Sequence, residues 1–241
     1  MASLVEIEAA LRERGLAPRG AFHPGEADGA PLVADGRAAG TIVLAGQVGA
    51  SHWERFARER RDELERSESG ERARGERSEP DPLDHWSARA LHDVARRCDA
   101  RVVLPGDGPP RPPFLRWAQR AEPVHASPLG LLIHPEYGLW HAYRGALALA
   151  ERIALPPRDA RPSPCDGCAE RPCLHACPVG AFRASGFDDA ACARHLETRG
   201  DACFAVACLA RAACPVGRRH AYPPAPARFH LEAFLRGRTR V

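Results

Sequence analysis

Eight of the nine cysteines in this 241-residue chain lie between Cys165 and Cys214, and two of them, Cys177 and Cys214, are each followed by proline. Thiols at that density have three physical uses: ligating iron–sulfur clusters, ligating zinc, or forming disulfides. Spacing separates them. The first run reads Cys165-x2-Cys168-x4-Cys173-x3-Cys177-Pro178. It has the order of the two-cluster run C-x2-C-x2-C-x3-C-P, whose last cysteine reaches across to the other cluster, with a longer second gap. The second run, Cys192 and then Cys203-x4-Cys208-x5-Cys214-Pro215, is stretched in the same sense, and both runs close on Cys-Pro-Val-Gly. Two such endings make a pseudo-repeat in which ligand sets interlock. The expected sets are Cys165, Cys168, Cys173 and Cys214 for one cluster, and Cys177, Cys192, Cys203 and Cys208 for the other. Proline after a ligand fixes its own φ and turns the chain away from the metal. The small residues Gly167, Ala169, Ala176, Gly180 and Ala181 leave room for amides to approach sulfur.

Zinc is the main competitor, since two four-cysteine sites would also use eight thiolates. Structural zinc sites show two tight cysteine pairs, however, and only Cys165/Cys168 is one here. Disulfides are disfavoured because the opening Met-Ala-Ser-Leu-Val-Glu-Ile-Glu carries acids and lacks the pattern of an export signal, so a reducing cytosol is expected. Cys98 stands apart and is expected to be a small buried apolar residue. No apolar run approaches the roughly 20 residues a membrane span requires. The net charge of +3 argues neither for nor against a nucleic-acid partner. All basic side chains are arginine, and several cluster at Arg218, Arg219, Arg228, Arg236, Arg238 and Arg240. A solvated terminal helix and a surface for phosphate or an acidic redox partner both account for that tail.

The pattern of elements predicts an α+β fold. Residues 1–155 form a cofactor-binding domain, 163–220 a small ferredoxin-like two-cluster domain, and 221–241 a tail with a short helix at Phe229–Leu235. Leu4, Ile7 and Leu11 have helical spacing, with Ser3 as cap and Gly15 as stop. Thr41–Ala45 reads as an inner strand. Residues 54–82, rich in arginine and glutamate, read as a helix that runs into an exposed, mobile loop. A helix through Leu91 and Val94, a strand at Arg101–Leu104 and a helix from Phe114 to Ala121 follow. Leu131–Ile133 reads as a buried strand. The glycine fingerprint of dinucleotide binding is absent.

The segment Leu132-Ile-His134-Pro-Glu136-Tyr137-Gly-Leu-Trp140-His141 gathers imidazoles and aromatic rings between glycines. Such groups line flat cofactors; equally, Trp140 and Tyr143 can pack in a core while His134 and His141 satisfy backbone carbonyls. On this segment, and on the cysteine order with its lone Cys192, the chain resembles the epoxyqueuosine reductase family from about Ser127 to Pro215. These are corrinoid-dependent enzymes with two [4Fe-4S] clusters that complete queuosine in tRNA. The resemblance implies a cobalamin lined by the segment that holds His134, Glu136, Tyr137, Trp140 and His141, with tRNA as a partner; Arg144 nearby reads either as a partner for a cofactor phosphate or carboxylate or as an ordinary surface ion pair. It also implies a proton-donating acid, for which Asp107 in Pro105-Gly-Asp-Gly is the candidate. The cluster gaps are longer than the family's, and its C-terminal helical repeats have no counterpart before Val241, so the expectation is a short, divergent relative. Three functions are open. The first is an iron–sulfur protein passing single electrons from an unidentified donor to a corrinoid-like or flavin-like acceptor. The second is a reductase in which Asp107 or Glu136 donates a proton, and the third a scaffold held together by metal.

Overall fold

The computed structural model describes residues 2–68 and 81–238. At the N-terminus Ser3 and Glu6 form a reciprocal cap, the Glu6 carboxylate accepting the Ser3 amide at 2.7 Å, and open α1 (Leu4–Glu13). Gly15, at φ 81°, ends it in the left-handed region. β1 (Ala17–Phe22), β2 (Thr41–Val48), α2 (Trp53–Glu68), α3 (Pro82–Cys98), β3 (Arg101–Val103) and α4 (Phe114–Ala121) follow. Next come β4 (His125–Ala126), β5 (Leu132–Ile133) and β6 (His141–Leu149). The cysteine-rich stretch holds α5 (Pro172–His175), β7 (Phe182–Arg183), β8 (Gly186–Phe187), α6 (Asp189–Arg199), α7 (Asp201–Val206) and α8 (Leu209–Ala212), and α9 (Pro224–Arg238) closes the chain. The loop expected after the charged helix lies largely at residues 69–80, outside the described residues. Among the described residues no helix is long and apolar enough to cross a membrane.

The chain divides into two compact units. One comprises Met1–Gln47, Ser51–Glu122 and Ala142–Arg158, and the other Val48–Ala50, Pro123–His141 and Asp159–Val241. The mixture of helices with small antiparallel sheets agrees with the expected α+β class. In the first unit the sheet has the order β1-β2-β6-β3, with β1 antiparallel to β2 and β3 antiparallel to β6. β2 is an inner strand, as its apolar run predicts. Ile42, Val43, Leu44 and Ala45 are all buried, as are Ala146 to Leu149 on β6. Consecutive buried residues on a strand mean that it is covered on both faces there. The neighbouring strand comes so close to Gly46 that a Cβ there would stand 1.9 Å from the Ala142 carbonyl oxygen.

Three expectations need correction. The strand at 131–133 is only Leu132–Ile133, and Leu131 is largely exposed, because a two-residue pairing with His125–Ala126 is all that the turn Ser127–Gly130 permits. The terminal helix is longer than Phe229–Leu235. It starts at Pro224, since Pro224 and Pro226 sit in the first turn, where no helical amide bond is lost. Cys98, at the last position of α3, is only half-buried; burial still pushes its thiol pKa up, although Arg97 opposes this.

A buried ion pair ties the first unit together. Arg19 is fully enclosed and forms a two-pronged pair with Glu122, Nε to Oε1 at 3.0 Å and Nη2 to Oε2 at 2.6 Å. Its Nη1 donates to the Gln47 carbonyl, and Tyr143 donates its hydroxyl proton to Glu122 at 2.7 Å. With its hydrogen bonds filled, such a pair is tolerated in the interior, whereas removing one partner strands the other charge. His52 is the opposite case. It is 1 % exposed, and neither ring nitrogen has a hydrogen-bond partner. Burial, and next the Arg144 charge, lower its pKa from 6.5 to about 4. Between those values the unfolded chain binds a proton that the folded chain refuses, so stability is present above pH 6.5 and falls as the pH drops toward 4. The loss over that window is expected to be about 3 kcal/mol. Urea melts at pH 7 and pH 4.5 check it: His52→Leu should flatten the pH dependence relative to the parent chain, and an unchanged slope would assign the effect elsewhere.

Candidate metal centre

The cysteines sit at the ends and on the first turns of short helices, which is what brings residues far apart in sequence into one place. Cys173 lies on α5, Cys192 on α6 and Cys203 on α7, while Cys208 and Cys214 flank α8. α6 is started by Asp188, whose carboxylate accepts the Ala191 amide at 2.8 Å, one residue before Cys192. The chain turns sharply at Ala207 and Cys208, both non-glycine residues with positive φ, 61° and 118°. Such backbone costs of order 1–3 kcal/mol per residue and persists where the surroundings hold it, characteristically at functional sites.

The two Cys-Pro-Val-Gly endings share two features. Each follows a one-turn helix, α5 or α8, and each closes on a left-handed glycine, Gly180 at φ 57° and Gly217 at φ 72°. α5 and α8 pack against each other. The Ala181 amide donates to Cys177 Sγ at 3.3 Å. Backbone amides also favour the ionised form of other thiols: that of Leu209 at Cys203, those of Arg211 and Ala210 at Cys208, and that of Val216 at Cys214. All nine cysteines are free thiols.

Electrostatics among the thiols divide the eight into two groups. Burial raises the Cys165 thiol pKa, and the neighbouring sulfurs of Cys214, Cys173 and Cys168 push in the same direction. Cys173 is raised by burial and then by Cys214 and Cys168. In the other group burial takes Cys192 up to about 11, with Cys208, Cys177 and Cys203 adding to it. Cys203 and Cys208 are likewise raised, burial first, with Cys177 contributing to both. Each group thus takes three cysteines from one run and one from the other: Cys214 joins the first three, and Cys177 joins the last three.

Cys177, Cys192, Cys203 and Cys208 line one cavity of about 210 Å³. The rest of its wall is apolar apart from His195: Pro178, Val179, Phe182, Phe187, Leu196, Leu209, Ala210, Leu231 and Phe234. The first group packs in an apolar cluster, where Cys173 and Cys214 are buried with Leu129, Ile133, Leu139 and Ala210; Cys165 and Val216 lie against it, and so do Cys177, Cys208 and Phe182 from the wall of the cavity. Among the described residues no three His, Cys, Asp or Glu side chains meet closely enough to hold a single metal ion.

The imidazole and aromatic segment is built onto the first thiol group through two glycines. A Cβ on Gly138 would stand 2.0 Å from the Val216 carbonyl oxygen, and one on Gly217 would stand 2.3 Å from the Tyr137 carbonyl group. Both residues have positive φ, so glycine is required twice over. Within the segment the His134 ring stacks on Tyr137, with centroids 4.1 Å apart and 12° between planes, and Tyr137 meets His220 edge-on at 5.3 Å. The buried His134 accepts the Glu136 and Tyr137 amides at Nδ1, 3.0 and 3.2 Å away, which puts the proton of the neutral ring on Nε2. His141 Nε2 lies 3.0 Å from the Leu132 carbonyl, and Glu136 pairs with Arg219 at 2.6 Å. Trp140 is 1 % exposed. Its ring lies against Tyr222 and beneath the guanidinium of Arg211, which donates to the Leu139 carbonyl.

Of the six candidate cofactor-binding residues, His134, Glu136, Tyr137, Trp140 and His141 belong to the second unit. Arg144 belongs to the first, where it donates to Gln47 and Asp84, each at 3.0 Å. Asp107, in the first unit, accepts the Leu104 amide at 2.8 Å and closes a turn. Sequence reasoning missed Arg211, Tyr222, Leu231 and Phe234. The apolar stripe of the last helix was legible, but nothing in it says which cavity the stripe would cover.

No protein-family model matches the chain, and no curated protein matches it. Among solved structures it is similar to epoxyqueuosine reductase from Streptococcus thermophilus, with 14 % identity and a TM-score of 0.47, over 92 % of this chain and 69 % of that one.

Proposed function

We propose that the second unit is a ferredoxin-like module with two [4Fe-4S] clusters that carries single electrons. The observation that carries this reading is the crossed division of the eight thiols, because an interlocked pair of ligand sets is the arrangement of two-cluster ferredoxins. The cavity among Cys177, Cys192, Cys203 and Cys208 fits an inorganic core better than an ion. Four sulfurs on tetrahedral zinc stand about 3.8 Å apart, from bond lengths of about 2.3 Å, and leave no space between them. Four ionised thiolates facing an apolar wall would be unsupported charge, so the donor set calls for a multivalent metal group or for protonated thiols. When bound, iron–sulfur clusters supply one-electron transfer at potentials set by hydrogen bonds to sulfur, charge and solvent exposure.

The residues of this chain then have distinct tasks. Cys165, Cys168, Cys173 and Cys214 hold one cluster, and Cys177, Cys192, Cys203 and Cys208 the other. The amides of Ala181, Leu209, Ala210, Arg211 and Val216 donate to ligand sulfurs and favour their ionised form. Leu129, Ile133 and Leu139 keep water from the first set. The stacked pair His134 and Tyr137 is fixed to that set by Gly138 and Gly217 and offers a flat face to an electron acceptor. The sequence resemblance makes that acceptor a corrinoid.

Anaerobic purification with iron and sulfide counts tests the reading, followed by visible spectra on addition of hydroxocobalamin. About eight irons with matching sulfide are expected, together with a corrinoid spectral shift. Zinc in place of iron would leave a metal-stabilised scaffold. Iron without the shift would remove the corrinoid and keep the electron carrier.

A further inference from the structure

α9 supplies no ligand, yet it is fastened to the β7–β8 hairpin, to α6 and to α7, which surround the second thiol group. Leu231 and Phe234 line the cavity that Cys177, Cys192, Cys203 and Cys208 face. The Phe234 ring meets Phe187 of the β7–β8 hairpin at 6.2 Å. The Arg228 guanidinium lies 5.0 Å above the ring of Phe204, on the helix that carries Cys203. Arg238 pairs with Asp189 at the start of α6, the helix that carries Cys192, and its charge acts on the Cys192 thiol. The two ends of α9 are held differently. Its first turn is anchored by the buried Pro226 and Ala227, and Tyr222 just before it packs on Trp140. The distal half, by contrast, rests on half-buried side chains and one ion pair. Half-buried apolar contacts and a surface ion pair open at a small fraction of the global unfolding cost. No cysteine of the first group lines that cavity; Cys173 and Cys214 are buried with Leu129, Ile133 and Leu139, a cluster that Cys177 and Cys208 also touch.

We propose that α9 is a seal for the second thiol group alone. Its distal half lifts to admit iron and sulfide and closes to keep water, chelators and oxidants away from that group, while the first group stays closed throughout. The proposal rests on the reading of this unit as a two-cluster module, and its test has a readout that does not need the metal.

The full-length chain carrying Leu231→Asp and Phe234→Asp together is compared with the parent, both purified without oxygen. Iron release to a ferrous chelator is followed first. Mass spectrometry then scores the alkylation of each cysteine after chelation. In the variant about half of the iron is expected to leave at least about tenfold faster, since two apolar side chains no longer hold the seal. Labelling of Cys177, Cys192, Cys203 and Cys208 should rise by a similar factor, while Cys165, Cys168, Cys173 and Cys214 keep the parent rate. Arg238→Glu, which leaves the apolar wall intact, should give the same selectivity at smaller amplitude and serves if the double variant does not fold. Equal acceleration of both groups, or of neither, overturns the seal. A parent chain without iron overturns the cluster reading, and the labelling pattern then decides the seal by itself.

Discussion

Cys214→Ala is expected to strip one cluster from the module and Cys177→Ala the other, each variant keeping about four of about eight irons. The informative result is which thiols each substitution frees. Cys214 is the last cysteine of the second run, yet its sulfur acts on Cys165 and Cys173. Its loss should therefore expose Cys165, Cys168 and Cys173 to alkylation and leave Cys192, Cys203 and Cys208 protected. Cys177 ends the first run but acts on Cys192, Cys203 and Cys208, so its loss should free those three and spare Cys165, Cys168 and Cys173. A metal group that has lost one of four thiolates leaves buried donors around incomplete coordination, and the remaining three should release it. If Cys177→Ala instead exposes Cys165, Cys168 and Cys173, the ligand sets follow the order of the chain, and the crossed assignment fails. Mass spectrometry of alkylated peptides from protein purified without oxygen distinguishes the two patterns.

The crossed sets are an expectation that the sequence alone can frame, because cysteine spacing and Cys-Pro endings are local features with a geometric meaning: a proline after a ligand forces a turn. The helix at Leu4–Glu13 and the strand at Thr41–Val48 were legible for a similar reason, their apolar spacing being regular. β6 was not. His141-Ala-Tyr-Arg-Gly-Ala-Leu-Ala-Leu149 carries three alanines and a glycine, residues with little strand preference, and it is a strand because both of its neighbours pair with it. Arg19 was invisible as a core residue because its partner Glu122 lies a hundred positions away, and a lone arginine in a polar stretch reads as surface. The aromatic segment was legible as unusual but not as to its partners. That Gly138 and Gly217 meet is a tertiary fact, carried by two residues without side chains. The pairing of the last helix with the second thiol group is of the same kind.

Gly217 gives a large expected loss of stability. Cys177-Pro-Val-Gly180 and Cys214-Pro-Val-Gly217 are identical in sequence and share the left-handed turn, so Gly180→Ala and Gly217→Ala carry the same backbone strain, about 1–2 kcal/mol for an L-residue at positive φ. Their surroundings differ. A Cβ at Gly180 meets nothing within 4 Å, whereas one at Gly217 falls 2.3 Å from the carbonyl group of Tyr137 and 2.6 Å from the amide nitrogen of Gly138. Backbone cannot swing aside as a side-chain tip can, so the Gly217 methyl must push the 134–141 segment off the Cys214 turn, adding about 1–3 kcal/mol of overpacking. Gly217→Ala should therefore cost about 2–5 kcal/mol in all, toward the upper end of single-site effects, against about 1–2 for Gly180→Ala. The damage should also be local: Gly217→Ala separates the His134–Tyr137 stack from the first thiol group, so its metal should be lost ahead of the second group's. Denaturant melts of the two variants, with iron counts taken below the transition, check both statements. Equal destabilisation by the two alanines would mean that the turns, and not the docking of the two segments, set the cost.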